Sequence, residues 1–143
     1  MHIGKVTILS LALVAFGVCA ARTDDEPTGY QCTFTTGTAW AYEDGTFRSN
    51  APVAISFDII DIDLDRQTAH LIPEGGKVPA ALKIVRAINA NHFLEVVNEG
   101  FLNLTTVYDK DAKSGTYPAV HSRHFGVLGQ PVVAQYAGSC KAK

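Results

Sequence analysis

Apolar side chains alternate with polar ones along most of the chain, and this alternation predicts strands. Tyr30, Cys32 and Phe34 fall at period two inside a Thr- and aromatic-rich run over residues 30–42, which is a strand signal. Asp44-Gly45 marks a hairpin turn, and Phe47 sits in a short return strand ended by Ser49, Asn50 and Pro52. Residues 53–64 form the next long strand. Its apolar positions run Val53, Ile55, Phe57, Ile59 and then change phase to Ile60, Ile62, Leu64. A phase change of one residue is what a β-bulge produces. A polar turn at 64–67 leads into a strand over 68–72, and residues 73–79, with Gly75-Gly76, form a loop.

The central stretch, residues 82–108 (LKIVRAINANHFLEVVNEGFLNLTTVY), predicts three strands joined by two tight turns. A two-residue turn at Ala90-Asn91 sets Ile88 opposite Phe93, Arg86 opposite Glu95 and Ile84 opposite Val97. An even connection at Glu99-Gly100 keeps Leu102 and Leu104 on that same face, and an odd one moves them to the other. Both faces are largely apolar, so one is core and the other is covered or lines a cavity. Arg86 and Glu95 are then either a partly exposed ion pair or a polar anchor in an apolar ligand pocket. Residues 109–116 are an exposed turn, 117–125 a strand, 126–131 a loop and 132–136 the last strand, leading to Cys140. In the segment His121-Ser122-Arg123-His124, period two puts His121 and Arg123 on one face and Ser122 and His124 on the other. The ligand-binding candidates are Arg86, His92, Phe93, Glu95, His121 and Arg123.

No stretch has sustained helical periodicity, and there are no internal repeats. Short strands separated by turns predict an all-β fold: one small antiparallel barrel or sandwich of about eight strands. Residues 1–21 are expected to be a signal peptide, with Lys5 ahead of the apolar run 6–18 and small residues around Ala20. That run is shorter than the roughly 18 residues a membrane span needs. Residues 22–29 are a polar leader and 30–143 the barrel domain. Of the three cysteines, Cys19 leaves with the signal, and Cys32 and Cys140 remain. Two cysteines in an exported chain are expected to pair. Closing so long a loop contributes roughly 4–5 kcal/mol in the chain-entropy model. The bridge brings the first and last strands together, which favours a barrel.

Charge and motifs narrow the function classes. Removing residues 1–21 takes away Lys5 and moves the formal charge from −2 to −3. No basic block exists to follow a phosphate backbone, so nucleic acid is not an expected partner. Asp61-x-Asp63-x-Asp65 has the spacing that opens a calcium loop, but Arg66 stands where that loop needs glycine and Ile72 where it needs an acid. The histidine spacing matches no zinc arrangement. No metal or cofactor is expected. Ser122 lies beside His121 without a nucleophile elbow, so no enzyme activity is expected. Asn103-Leu104-Thr105 fits an N-glycosylation pattern but falls within a strand.

The segments NANHFLEVVNEGFLNLTTVY, YPAVHSRHFG and QYAGSC resemble a group of small, exported, uncharacterised bacterial proteins. The resemblance implies export and brings no activity or functional residue. The outline, Tyr30-x-Cys32 early and Cys140 late around short strands, is similar to the periplasmic lysozyme inhibitors of the small barrel type. The expectation is a secreted or periplasmic, non-enzymatic binding protein that holds a small apolar molecule in its barrel. The alternatives are a protein-binding module such as an enzyme inhibitor, acting through loops 73–79 or 109–116, and a structural envelope component.

Overall fold

The computed structural model describes residues 26–97, 101–127 and 129–143. The expected signal peptide and the first part of the leader lie outside the described residues. The described chain is all β, with nine strands: β1 (Tyr30–Glu43), β2 (Thr46–Asn50), β3 (Ile55–Asp63), β4 (Thr68–Pro73), β5 (Ala80–Arg86), β6 (Ala90–Val97), β7 (Phe101–Tyr108), β8 (Tyr117–Val127) and β9 (Gln130–Ala142). Among the described residues no helix is long and apolar enough to cross a membrane.

Every strand pairing is antiparallel, in the order β1-β3-β4-β5-β6-β7-β8-β9, and β9 returns to β1, so eight strands close into a barrel. β2 is an addition outside the ring. The first part of β1, Tyr30 to Phe34, pairs with β3, whereas its last part, Ala39 to Glu43, pairs with β2. A bulge between Phe34 and Thr36 separates the two parts. At this bulge β1 and β9 approach so closely that a Cβ on Gly138 would overlap the Thr33 carbonyl oxygen and lie 2.8 Å from the Phe34 Cα. Only glycine fits there.

Cys32 and Cys140 face each other across β1 and β9 and form a disulfide, with their Cα atoms 4.0 Å apart. The expected pairing of the first and last strands is therefore present. The phase change in β3 is also present: the register with β4 slips by one residue between Ile60 and Asp63, with Asp61 in the left-handed region at φ 53°.

The barrel interior is packed at its waist. Tyr30, Cys32, Phe34, Phe57, Ile59, Leu82, Ile84, Phe93 and Cys140 are buried. Tyr30 stands edge-on to both Phe93 and Tyr117, and Phe34 stacks on Phe57 at 5.4 Å. Burial pushes the Tyr30 phenol well above the ordinary tyrosine range, with Tyr117 adding to the shift, so the ring stays neutral. Residues 26–29 lie against this end: Ile62 N donates to Thr28 O at 3.1 Å and Lys143 N to Gly29 O at 3.0 Å.

The central hairpin differs from its expected register. Arg86 stands opposite Asn91, and Ile84 opposite Phe93. The reversal is at 87–89, closed by Ala87 N donating to Ala90 O at 2.9 Å, and not at Ala90-Asn91. Ala90 is buried as the first residue of β6, while Ile88 projects fully into solvent. The slip is four residues, an even number, so Ile84, Phe93 and Glu95 keep their shared face. The next connection leaves three residues, 98–100, between the paired Val97 and Phe101. This odd number turns Phe101, Asn103, Thr105 and Val107 inward and Leu102 and Leu104 outward.

Candidate functional site

Two cross-strand rows build one end of the barrel interior. The deeper row is Phe93 (β6), Thr105 (β7), His121 (β8) and Tyr136 (β9), each directly paired with the next. The outer row is Glu95, Asn103, Arg123 and Ala134, likewise in register. Period two therefore stacks a polar row above a largely aromatic one. Across the opening, β3 and β4 contribute Ile55, Phe57, Leu71 and Pro73, with Glu74 at the rim. The mouth between these walls is an open cavity of about 420 Å³. One wall is polar and the other apolar.

Asn103 Nδ2 donates to Glu95 Oε2 at 2.7 Å. An ionised carboxylate can only accept, so this bond fixes which end of the amide faces Glu95. Asn103 Oδ1 then points away, buried and without a hydrogen-bond partner. The guanidinium of Arg123 lies 5.6 Å from the centre of the Phe125 ring, and Phe125 stacks on Phe101 at 5.4 Å. This cation–π contact holds the Arg123 head toward the outer end of the mouth.

His121 forms part of the floor. Its ring is 4 % exposed and lies 5.1 to 6.0 Å from the ring centres of Phe57, Phe34 and Tyr136. Its Nδ1 and Thr105 Oγ1 are 2.9 Å apart and share a hydrogen bond. Burial, and secondarily the positive charge of Arg123, lowers its pKa to about 4. The ring is neutral at neutral pH. Thr105 is buried as well.

Of the six candidates, the structure brings three together at the mouth: His121 in the floor, and Glu95 and Arg123 on the polar wall. Phe93 is buried in the deeper row, paired with Thr105, and does not line the cavity. Arg86 is inward-facing but at the opposite end, where its Nη2 is 3.4 Å from Glu26 Oε1. It therefore does not pair with Glu95, because the four-residue register slip separates them along the barrel. His92 lies on the outer face, with Nδ1 2.9 Å from Thr106 Oγ1. Asn103, Thr105, Ile55 and Leu71 are site residues that the alternation did not single out. For Asn103 and Thr105 the missing information was the odd connection. His121 and Arg123 share the inner face, as their spacing predicts, and Ser122 and His124 face outward.

The other chemical constellations are dispersed. Asp63 Oδ1 accepts from Arg66 N at 2.8 Å, which closes the β3–β4 turn. Asp61 Oδ2 is 3.3 Å from His70 Nδ1, within ion-pair distance but outside hydrogen-bonding geometry. Among the described residues no three His, Cys, Asp or Glu side chains converge on one point. A second depression, about 380 Å³, lies on the outside of β1, β8 and β9, lined by uncharged residues including Thr38, Trp40, Ser122 and Gln135. No protein-family model matches the chain, and no curated protein matches it.

Proposed function

We propose that this is an exported, non-enzymatic binding protein that takes a small amphipathic molecule into the barrel mouth. The observation that carries the reading is the two-sided cavity, with Glu95, Asn103 and Arg123 facing Ile55, Phe57 and Leu71. A few placed polar groups against an apolar wall are the usual make-up of a ligand site. The packed waist leaves the mouth as the place for a ligand, so an amphipathic molecule fits better than a wholly apolar one. Binding without turnover is favoured because the Thr105 hydroxyl, hydrogen-bonded to His121, is buried and is not presented to a substrate. The buried disulfide is compatible with a secreted or periplasmic location.

The test is fluorescence of the neutral probe N-phenyl-1-naphthylamine with the wild type and with Ile55→Trp, which fills the half-buried rim of the mouth. Saturable binding lost in Ile55→Trp is expected. Equal binding by both proteins places the probe elsewhere and rejects the mouth as the site.

A protein-binding module is the second reading. It is favoured by the exposed Tyr42, Phe47, Leu102 and Val120 on the outer sheet face. A partner retained by Ile55→Trp but lost with Phe47→Ser makes the outer face the working surface.

A further inference from the structure

The chain's single tryptophan, Trp40, stands on the outside of the barrel. Ala134 and Tyr136 are buried in the interior, so period two turns Val133, Gln135 and Ala137 of β9 outward. Their cross-strand partners turn outward with them. Trp40 pairs with Val133, Thr38 and Ser122 flank Gln135 from β1 and β8, and Val120 pairs with Ala137. The small side chain of Ala137 leaves the surface low between β1 and β8. The result is a groove of about 380 Å³ over β9, with Trp40 and Val120 at opposite corners. That volume is within the range of small-molecule clefts.

The chemistry of this groove is unlike that of the mouth. No charged side chain lines it, whereas the mouth and two further cavities, of about 500 and 240 Å³, each include carboxylates. Thr38, Ser122 and Gln135 each bring a donor and an acceptor, and Trp40 brings a donor. Among the described residues none of these four side chains is hydrogen-bonded to another protein group. We propose that the groove binds a neutral saccharide, with one pyranose ring lying against Trp40 and its hydroxyls bonded to Thr38, Ser122 and Gln135. A sugar hydroxyl is both donor and acceptor, as are the groups that meet it. The C–H face of a pyranose is apolar and matches an indole, which joins a large apolar surface to one polar N–H. An ionic ligand meets no counter-charge in the lining and gives up hydration there. A wholly apolar ligand takes water from four polar side chains and replaces none of their hydrogen bonds.

The groove is on the outer side of the sheet and the mouth on the inner side, so this inference does not depend on a ligand in the mouth. As the chain's one tryptophan, Trp40 makes intrinsic fluorescence a local reporter. The test is titration with the neutral trisaccharides cellotriose, maltotriose and chitotriose and with the anionic trigalacturonate, with amide shifts of isotope-labelled protein followed alongside. At least one neutral trisaccharide is expected to change the Trp40 emission saturably. It should shift the amides of Thr38, Ser122, Gln135 and Ala137 and leave those of Glu95 and Asn103 in place. Trigalacturonate is expected to bind at least about tenfold more weakly. Gln135→Leu, at an exposed position, is expected to weaken the neutral sugar about threefold to tenfold. Trp40→Ala, followed by amide shifts, should weaken it about tenfold. That variant also removes packing from a half-buried ring, so Gln135→Leu decides the matter if Trp40→Ala does not fold. No response to any of the three neutral sugars overturns the assignment, and so does trigalacturonate binding equally well. Undiminished binding by Gln135→Leu, or amide shifts confined to the mouth, also rejects the groove as a saccharide site.

Discussion

Protonation of His121 should destabilise the fold measurably between pH 6.5 and 4. The ring sits at 4 % exposure among Phe34, Phe57 and Tyr136, with Arg123 as the nearest charge in the next row. Its pKa falls from an ordinary 6.5 to about 4. The unfolded chain therefore takes up a proton at a higher pH than the folded one. Where the unfolded state binds more protons, stability rises with pH. The contribution is fully present above pH 6.5, is lost as pH falls toward 4, and is constant below that. At 1.36 kcal/mol per pKa unit the lowering corresponds to about 3 kcal/mol. Urea unfolding of the wild type and His121→Gln across this range isolates the effect, because the carboxylates common to both cancel in the difference. The wild type is expected to lose about 3 kcal/mol relative to the variant between pH 7 and pH 4. The ring proton resonances should titrate near pH 4. A stability difference that does not change with pH, or a midpoint at 6 or above, refutes the desolvation argument.

Three further outcomes follow from the fold. Breaking the Cys32–Cys140 bridge, which spans 108 residues, by Cys32→Ser with Cys140→Ser should cost about 4.8 kcal/mol in the chain-entropy model, read as a fall in the urea midpoint. Gly138→Ala should cost about 3 kcal/mol or prevent folding, because the added methyl meets the β1 backbone and not a side chain that can move; Gly126→Ala, with its nearest neighbour at 3.8 Å, should change thermal stability by no more than about 0.5 kcal/mol. Arg86→Ala should cost less than about 1 kcal/mol in urea unfolding, because its pair with Glu26 is exposed on both sides.

The fold was legible because faces depend on parity, and parity survives many errors. The register of β5 and β6 is four residues from the one that an Ala90-Asn91 turn predicts, yet Ile84, Phe93 and Glu95 remain on one face. The disulfide and the β3 bulge were legible for a similar reason: each leaves a local mark, a cysteine pair or a change of phase. The site was less legible. Its residues come from five strands, β3, β4, β6, β7 and β8, and each pairing depends on the one before. One odd connection moves Asn103 and Thr105 inward, and one displaced turn carries Arg86 to the far end, where Glu26 meets it. The expected Arg86–Glu95 pair thus becomes the observed Asn103–Glu95 bond.

The same register explains why polarity collects at one end. Along β6 the inward residues run Phe93 then Glu95; along β8 they run His121 then Arg123. Along β7, which points the other way, they run Asn103 then Thr105 then Val107. Polarity rises in the same spatial direction on all three strands, but β7 spells it backwards. Facing charged and amide groups into a barrel costs desolvation that apolar residues there do not incur. A fold alone needs no such row, whereas a ligand site does. The combined variant Glu95→Leu, Asn103→Val and Arg123→Met tests this distinction. If the row serves binding, stability should be unchanged or higher by about 1 kcal/mol in urea unfolding, and the affinity of the mouth for N-phenyl-1-naphthylamine should change. A loss exceeding about 2 kcal/mol makes Glu95, Asn103 and Arg123 structural supports of β6, β7 and β8 instead.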